Sequence, residues 1–294
     1  MGDFVIHACG DNNIWHNFAF DILRRYNPKA HTVFIYINGS DHTHPSQKWK
    51  AYVLQRLYPD APIRFIKTAN CLSPVTLPES EFRVFPFENY KCNSVARDML
   101  KRISGVDHAG EGGYVLLNQR SVGNRYLYEA VTKLPLGDYL QTRTTLHVKV
   151  CNFEDMTPQE QAEACSKARV FISVHGAGTI NLIFTPMSCP LLEVNFRKNW
   201  FCDPVCDAHY LSPDRLDSKC SHSVFHKSDF HNLCGLLGKP YTEVEAEYYG
   251  DGFIDRNPIN RRSVYVDGEK LVNLIDQTLA HQPPETCPDP TESP

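Results

Sequence analysis

Two stretches of this chain have residue types suited to gripping a diphosphate. The first is Ile172-Ser173-Val174-His175-Gly176-Ala177-Gly178-Thr179-Ile180-Asn181, an apolar run that ends in a histidine, passes through Gly-Ala-Gly and then offers Thr179 and Asn181 to open a helix. Glycines let backbone approach a ligand closely, and first-turn N–H groups face outward with the positive end of the helix dipole. The same residues also suit a plain tight turn, with His175 as a satisfied core histidine. The second stretch is Asn118-Gln119-Arg120-Ser121-Val122-Gly123-Asn124-Arg125, with Arg120 and Arg125 five residues apart just after a strand-like run. Arginine presents a planar fork that keeps its charge and bonds phosphate in bidentate fashion. The alternative is a pair of solvated surface arginines. A third residue, Glu193 in Pro190-Leu191-Leu192-Glu193-Val194, is an acid within an apolar run, and burial obliges it to find a partner. A ribose diol and a structural ion pair both meet that need.

The elements that must position these residues alternate along the chain. Phe4-Val5-Ile6, Thr32 to Ile37 and Ile63 to Ile66 read as strands, with helices over Ile14 to Tyr26 and Lys48 to Tyr58 between them. Short β-branched runs separated by amphipathic helices predict a parallel sheet covered on both faces. Asn89 to Ile103 reads as a helix, and Asp107 to Gly113 as a break. Beyond it the alternation resumes: strands at Tyr114 to Asn118, His147 to Val150, Val170 to Val174 and Pro190 to Val194, with a helix over Arg125 to Val131. Thr157-Pro158-Gln159-Glu160 signs a helix start, because the Thr and Glu satisfy each other's orphan N–H groups and the Pro sits at the first helical position. The segment from Asn199 to Gly238 has little pattern, and a last helix covers Gly268 to Ala280. The expected class is α/β, in two doubly wound domains: 1–104, 105–281, then a disordered tail over 282–294 whose prolines resist packing. The last helix, 268–280, is expected to pack back on the first domain.

Composition limits the function. The chain has 294 residues, and 30 Lys+Arg against 34 Asp+Glu leave a net charge of −4, so a nucleic-acid polymer or an anionic membrane is not the expected partner. The 11 cysteines are scattered and odd in number, which fits buried free thiols better than a disulfide framework. Met1 to Gly10 has no basic region followed by an apolar run, and Ile6 breaks a myristoylation motif, so the expected location is cytoplasmic, or that of an anchor-free form of a Golgi- or ER-type enzyme.

Several motifs in a shared order carry a resemblance. Arg120-x4-Arg125-x3-Glu129, Met156-Thr157-Pro158-Gln159-Glu160-Gln161, Ala168 to Ile172, His175-Gly176-Ala177-Gly178-x2-Asn181 and Leu192-Glu193-Val194 resemble family 61 glycosyltransferases over about residues 114–195. That family includes plant β-xylosyltransferases and animal transferases of N-acetylglucosamine to glycoproteins. More loosely, Asn13-x2-His16-x4-Asp21 is similar to the family's first helix. The chain looks like a short stand-alone form of the kind a microbe or virus would carry.

The resemblance implies an inverting, metal-independent enzyme of GT-B type, with two Rossmann-like domains facing across a cleft. It implies no cofactor and no metal ligands, a UDP-sugar donor with xylose favoured over N-acetylglucosamine, and a hydroxyl of a glycan or glycoprotein as acceptor. Arg120, Asn124 and Arg125 would hold the diphosphate, His175, Gly176, Ala177, Gly178 and Asn181 would approach phosphates and sugar, and Glu193 would take the ribose. Inversion needs a base on the acceptor side. Asp21 and His16 are the first candidates and Asp11 the third, because the first helix leaves a strand's carboxyl end. Two other readings stay open: a non-catalytic nucleotide-sugar-binding module, and a zinc-stabilised interaction protein built on Cys202, Cys206, Cys220 and Cys234.

Overall fold

Three runs rich in Val, Ile, Phe and Tyr build the first sheet. Phe4–Cys9 (β1), Thr32–Ile37 (β2) and Ile63–Lys67 (β3) pair in parallel, in the order β1-β2-β3. The structure is a computed structural model, and it describes residues 4–9, 14, 17–23, 26, 29–37, 44–67, 94–105, 113–121, 125–195, 229–249 and 263–280. Between β1 and β2 the expected helix is described as a π-helix over Asn17–Ile22, a wider coil for which the residue pattern offers no account. Pro45–Leu57 forms α1, with Pro45 in the first turn and the His44 side chain accepting the Ser46 N–H as an unusual cap. Ser94–Ser104 forms α2, and Gly105 ends it at φ 68°, the left-handed conformation that glycine adopts without a Cβ penalty. Arg56 of α1 donates to the carbonyl oxygens of Ser104 (3.0 Å) and Ile103 at that end, so the two helices are bonded as well as packed.

The second sheet has seven strands: Tyr114–Asn118 (β4), Leu127–Glu129 (β5), Val148–Cys151 (β6), Ala168–Val174 (β7), Leu191–Asn195 (β8), Tyr241–Tyr249 (β9) and Ser263–Val266 (β10). Their order is β5-β10-β9-β8-β7-β4-β6, all pairs parallel except β10 with β9. Every residue of β4 and β8 is buried, as a doubly covered parallel strand requires. Taken in chain order, β6-β4-β7-β8-β9 runs 2-1-3-4-5, which reverses direction between β4 and β7. Crevices at such reversals, beyond the carboxyl ends of the strands, are where open α/β sheets bind ligands.

Leu136–Gln141 (α3), Pro158–Ser166 (α4), Asp229–Leu237 (α5) and Gly268–Ala280 (α6) complete the α-helices among the described residues. The capping box at Thr157 and Glu160 forms in full. Two expectations are corrected here. The helix over Arg125 to Val131 is instead the strand β5: Leu127 and Glu129 point inward and Tyr128 outward, a period of two that three residues are too few to reveal. Glu129 then caps the turn after it, accepting from the Val131 and Thr132 N–H groups and the Thr132 hydroxyl. Burial works to raise its carboxyl, but those bonds and one from Gly268 outweigh it and hold the group at about 2. Among the described residues, the last helix packs in the second sheet's cluster and not in the one that holds the first sheet. Its Leu271 and Ile275 cover the second sheet beside Leu136, Leu140, Val170 and Val264.

One apolar cluster joins the two sheets. It runs from Val33 and Ile35 of β2 through Trp49, Val53 and Leu54 of α1, and Met99 and Leu100 of α2, to Phe171 of β7 and Phe184. Phe184 lies at the junction, edge-on to Trp49 at 6.0 Å and to Tyr52 at 5.9 Å. Phe184→Ala should cost about 3–5 kcal/mol, the usual range for a buried Phe. Urea unfolding followed separately at α1 and in the second sheet is expected to show both signals shifted together; a shift confined to one would contradict a shared core.

Candidate functional site

The carboxyl ends of β4 and β7 are stitched together by short polar side chains. Asn118, at the end of β4, donates from Nδ2 to Ser173 Oγ at 3.0 Å. Ser173 Oγ meets Thr179 Oγ1 at 2.9 Å, and Thr179 donates to the Val174 carbonyl at 3.1 Å. All three side chains are buried, and each is satisfied by another, which fixes the turn after β7 relative to the end of β4. That turn continues as a 3₁₀ helix over Ala177–Phe184, where the sequence suggests a helix opening.

Both arginines reach this turn. Arg125 adopts a φ of 57°, rare for a residue with a side chain, and its Nη1 donates to the His175 carbonyl at 2.6 Å. A Cβ built on Gly176 would come within 2.9 Å of Arg125 Nη1 and 3.5 Å of Arg120 Nη1, so two guanidinium tips converge over one Cα. Gly178 is similarly close to Asn118, whose Nδ2 would lie 3.1 Å from an added Cβ. Arg120 also bonds Glu154, just past β6, through Nη2 and through Nε at 3.1 Å. Half-exposed pairs of this kind are worth about 0–1 kcal/mol, so a more highly charged anion competes for the guanidinium. Asn124 lies outside the described residues.

Beneath the turn is a buried polar chain. His175 Nδ1 meets Glu193 Oε1 at 2.6 Å, and the Tyr241 hydroxyl donates to Glu193 Oε2 at 2.8 Å. Phe230 stands edge-on to the His175 ring at 5.8 Å and His231 edge-on to Tyr241 at 4.9 Å. A carboxylate only accepts, so the Nδ1 it faces carries the proton and Glu193 sets the ring's orientation. Glu193 is fully buried with both oxygens engaged. Of its two readings, ribose ligand or buried pair, the geometry forms the pair. Tyr241, Phe230 and His231 were missed by the sequence reading; they come from β9 and α5, and although Glu243 to Tyr248 alternates as a strand does, nothing local to it shows which strand it joins.

Beside the turn opens a cavity of about 450 Å³ between the start of α1 and the ends of β4, β6 and β7. His44, Trp49, Arg120, Phe153, Gln161 and Asn181 are among its lining residues. Trp49 Nε1 donates to Asn181 Oδ1 at 3.0 Å, so α1 is tied directly to the turn after β7. Asp21, a candidate base, does not line this cavity: it is buried and its carboxylate is taken by the ammonium of the fully buried Lys50. That ion pair also gives Asp21 a structural part beside α1. His16 and Asp11 lie outside the described residues.

Among the described residues, no three His, Cys, Asp or Glu side chains are grouped to hold a metal ion, and no helix is long and apolar enough to cross a membrane. Cys202, Cys206 and Cys220 are outside the described residues, while Cys234 is a free thiol in the core of α5. Cys151, Cys165 and Cys189 are likewise free and buried, and burial pushes the Cys189 thiol up to about 11. That is the inert, core-filling kind of cysteine.

A family model described as Glycosyltransferase 61 matches residues 15–192, a span that takes in β2, β3, α1, α2, both arginines and the turn after β7, and ends at the second residue of β8. No curated protein matches the chain.

The buried chain yields a prediction. Glu193→Ala would leave the His175 N–H and the Tyr241 hydroxyl unpaired, each at about 1–3 kcal/mol, so the loss in stability should be about 2–6 kcal/mol. Denaturant unfolding checks it; wild-type stability would mean that the carboxylate is not the partner of both groups.

Proposed function

The chain belongs to glycosyltransferase family 61, and on that premise we propose that it is an inverting, metal-independent enzyme. It moves xylose first, and N-acetylglucosamine next, from a UDP-sugar to a hydroxyl of a glycan or glycoprotein. The observation that carries this reading is the convergence of Arg120 and Arg125 over Gly176 at the reversal between β4 and β7. The GT-B arrangement is part of the proposal, supported by the 2-1-3-4-5 order of the second sheet and by a separate parallel first sheet. The family and the position of the arginines support the UDP-sugar; the xylose preference rests on the sequence resemblance alone.

In this mechanism the acceptor oxygen attacks the anomeric carbon from the face opposite UDP. A bond forms from that oxygen to the carbon, and the bond from the carbon to the β-phosphate oxygen breaks, its electron pair leaving with UDP. The acceptor's proton passes to a base on the acceptor side. Asp21 and His16 are the candidates for that base on sequence grounds, and Lys50 lies against the Asp21 carboxylate. Charge growing on the diphosphate is met by Arg125, already held at the turn, and by Arg120 once the diphosphate displaces Glu154 from it. Arg125 is already held by the His175 carbonyl, and His175 by Glu193, so the turn and the guanidinium move as one unit. Asn124 is placed with the arginines by its position between them.

Arg125→Ala should weaken UDP binding by about 1.5–3 kcal/mol, the range for a hydrogen bond to a charged group, or roughly ten- to a hundredfold. Calorimetric titration measures this; wild-type affinity would remove Arg125 from the diphosphate site. A panel of UDP-sugars tested for hydrolysis and transfer, with the product anomer read by NMR, tests the whole reading. The expected result is a β-linked product; binding without any turnover would leave a nucleotide-sugar-binding module instead.

A further inference from the structure

Displacement with inversion needs a proton acceptor on the side away from the leaving diphosphate. Among the described residues that line the cavity, three carry a carboxylate or an imidazole: His44, Glu154 and Asp155. The two acids follow β6 and share their wall with Arg120, which puts them on the side of the leaving group. Each is also engaged, Glu154 by the Arg120 guanidinium and Asp155 by Asn152 Nδ2 at 2.5 Å. His44 stands at the start of α1, on the wall that the first sheet's unit supplies.

His44 is held in place by its own helix. Its carbonyl oxygen accepts from the Gln47 and Lys48 N–H groups at 2.9 and 3.1 Å, so its backbone belongs to the first turn. Its Nδ1 meets the buried Ser46 twice, the backbone N–H at 3.2 Å and the hydroxyl at 2.7 Å. The N–H only donates, whereas the hydroxyl does either, so Nδ1 keeps a partner whether or not it carries the ring proton. With Nδ1 turned back onto the helix, Nε2 lies on the far side of the ring, and among the described residues it has no hydrogen-bond partner. Capping alone does not call for this residue, because Ser, Thr, Asp and Asn are the side chains that cap a helix best.

We propose that His44 is the catalytic base, its Nε2 taking the hydroxyl proton of the acceptor from the wall of the cavity that faces Arg120. The inference rests on the transferase reading and puts His44 in place of the two bases named from the sequence. As the acceptor oxygen bonds to the anomeric carbon, its proton moves to Nε2. The bond from that carbon to the β-phosphate oxygen breaks, and UDP keeps the electron pair. Nδ1–H then donates to Ser46 Oγ, so the imidazolium has a partner on the nitrogen away from the reaction, and it gives up its proton to water after the product leaves. A histidine's reactive nitrogen is set by the bond that its other nitrogen makes, and Ser46 makes that bond here.

His44→Asn separates the two roles, because asparagine caps a helix well and takes no proton. In the whole chain, with the UDP-sugar that the wild type turns over, it should lower kcat by about a hundredfold or more, the usual contribution of a general base. UDP affinity by calorimetry and the melting temperature should stay as in the wild type, and His44→Ser, a second capping residue, should behave alike. The acid limb of the kcat profile, where a base that must start unprotonated is lost, should vanish in both. Lys48, Arg120, Glu154 and Asp155, the other charged groups among the lining residues, are present in every variant, so a limb that vanishes belongs to His44. Wild-type turnover in His44→Asn, or a fall in turnover matched by an equal fall in UDP affinity, would overturn the proposal and leave the transferase reading intact. A wild type that turns over no UDP-sugar would defeat that reading, and the base with it.

Discussion

Everything at the site depends on the hydrogen bond from Asn118 at the end of β4 to Ser173 near the end of β7. These strands are neighbours, yet the connections beyond them leave toward opposite sides, and a crevice opens where they part. Main-chain pairing stops at that point, so short side chains must carry the order onward. Ser173 passes it to Thr179 and Thr179 to the Val174 carbonyl, all without solvent. With the turn held, Gly176 lies where both guanidiniums meet it, and Asn181 lies where Trp49 reaches it. A bulkier or unsatisfied residue in this chain would move both arginine contacts at once.

A second constraint lies one layer deeper. Glu193 is a carboxylate at the centre of a parallel sheet, and an unpaired charge there would carry a heavy desolvation cost. Its two oxygens divide the task between His175 on one side and Tyr241 on the other, so the sheet's interior and the turn are coupled through one imidazole. The buried pair of Asp21 and Lys50 plays the comparable role beside α1. Such pairs are poor sources of net stability but strong selectors of geometry, because breaking one leaves a bare buried charge. Here the geometry selected is that of the crevice wall.

What was legible in the sequence was what acts over short range. Thr157 and Glu160 satisfy one another within a single turn, and the capping box they announce is present. Tyr114 to Asn118 is apolar on both faces because both faces are covered, and the strand has those bounds. Two arginines and a glycine turn could be matched because strand ends and ligands keep a fixed relation in this class of sheet. The alternation of Glu243, Glu245 and Glu247 with Val244, Ala246 and Tyr248 is a strand signal that went unread, but the place of β9 beside β8 and β10 is a fact of pairing between distant segments and has no local sign. For the same reason Tyr241, which lies 48 residues from Glu193, left no local sign of its role, and the ribose and ion-pair readings of Glu193 stood level until the fold brought the tyrosine in. Asp21 suffered likewise: nothing near it in sequence shows that Lys50 has claimed it.

The central claim is that the turn after β7 and the two arginines form one diphosphate cradle. Amide hydrogen exchange with and without UDP tests it most directly, since exchange reports local opening residue by residue. The account predicts that UDP slows exchange at Gly176 to Asn181 and around Arg120 and Arg125, with little change in α6 on the far side of the second sheet. Protection that appears elsewhere while these amides exchange as before would contradict it.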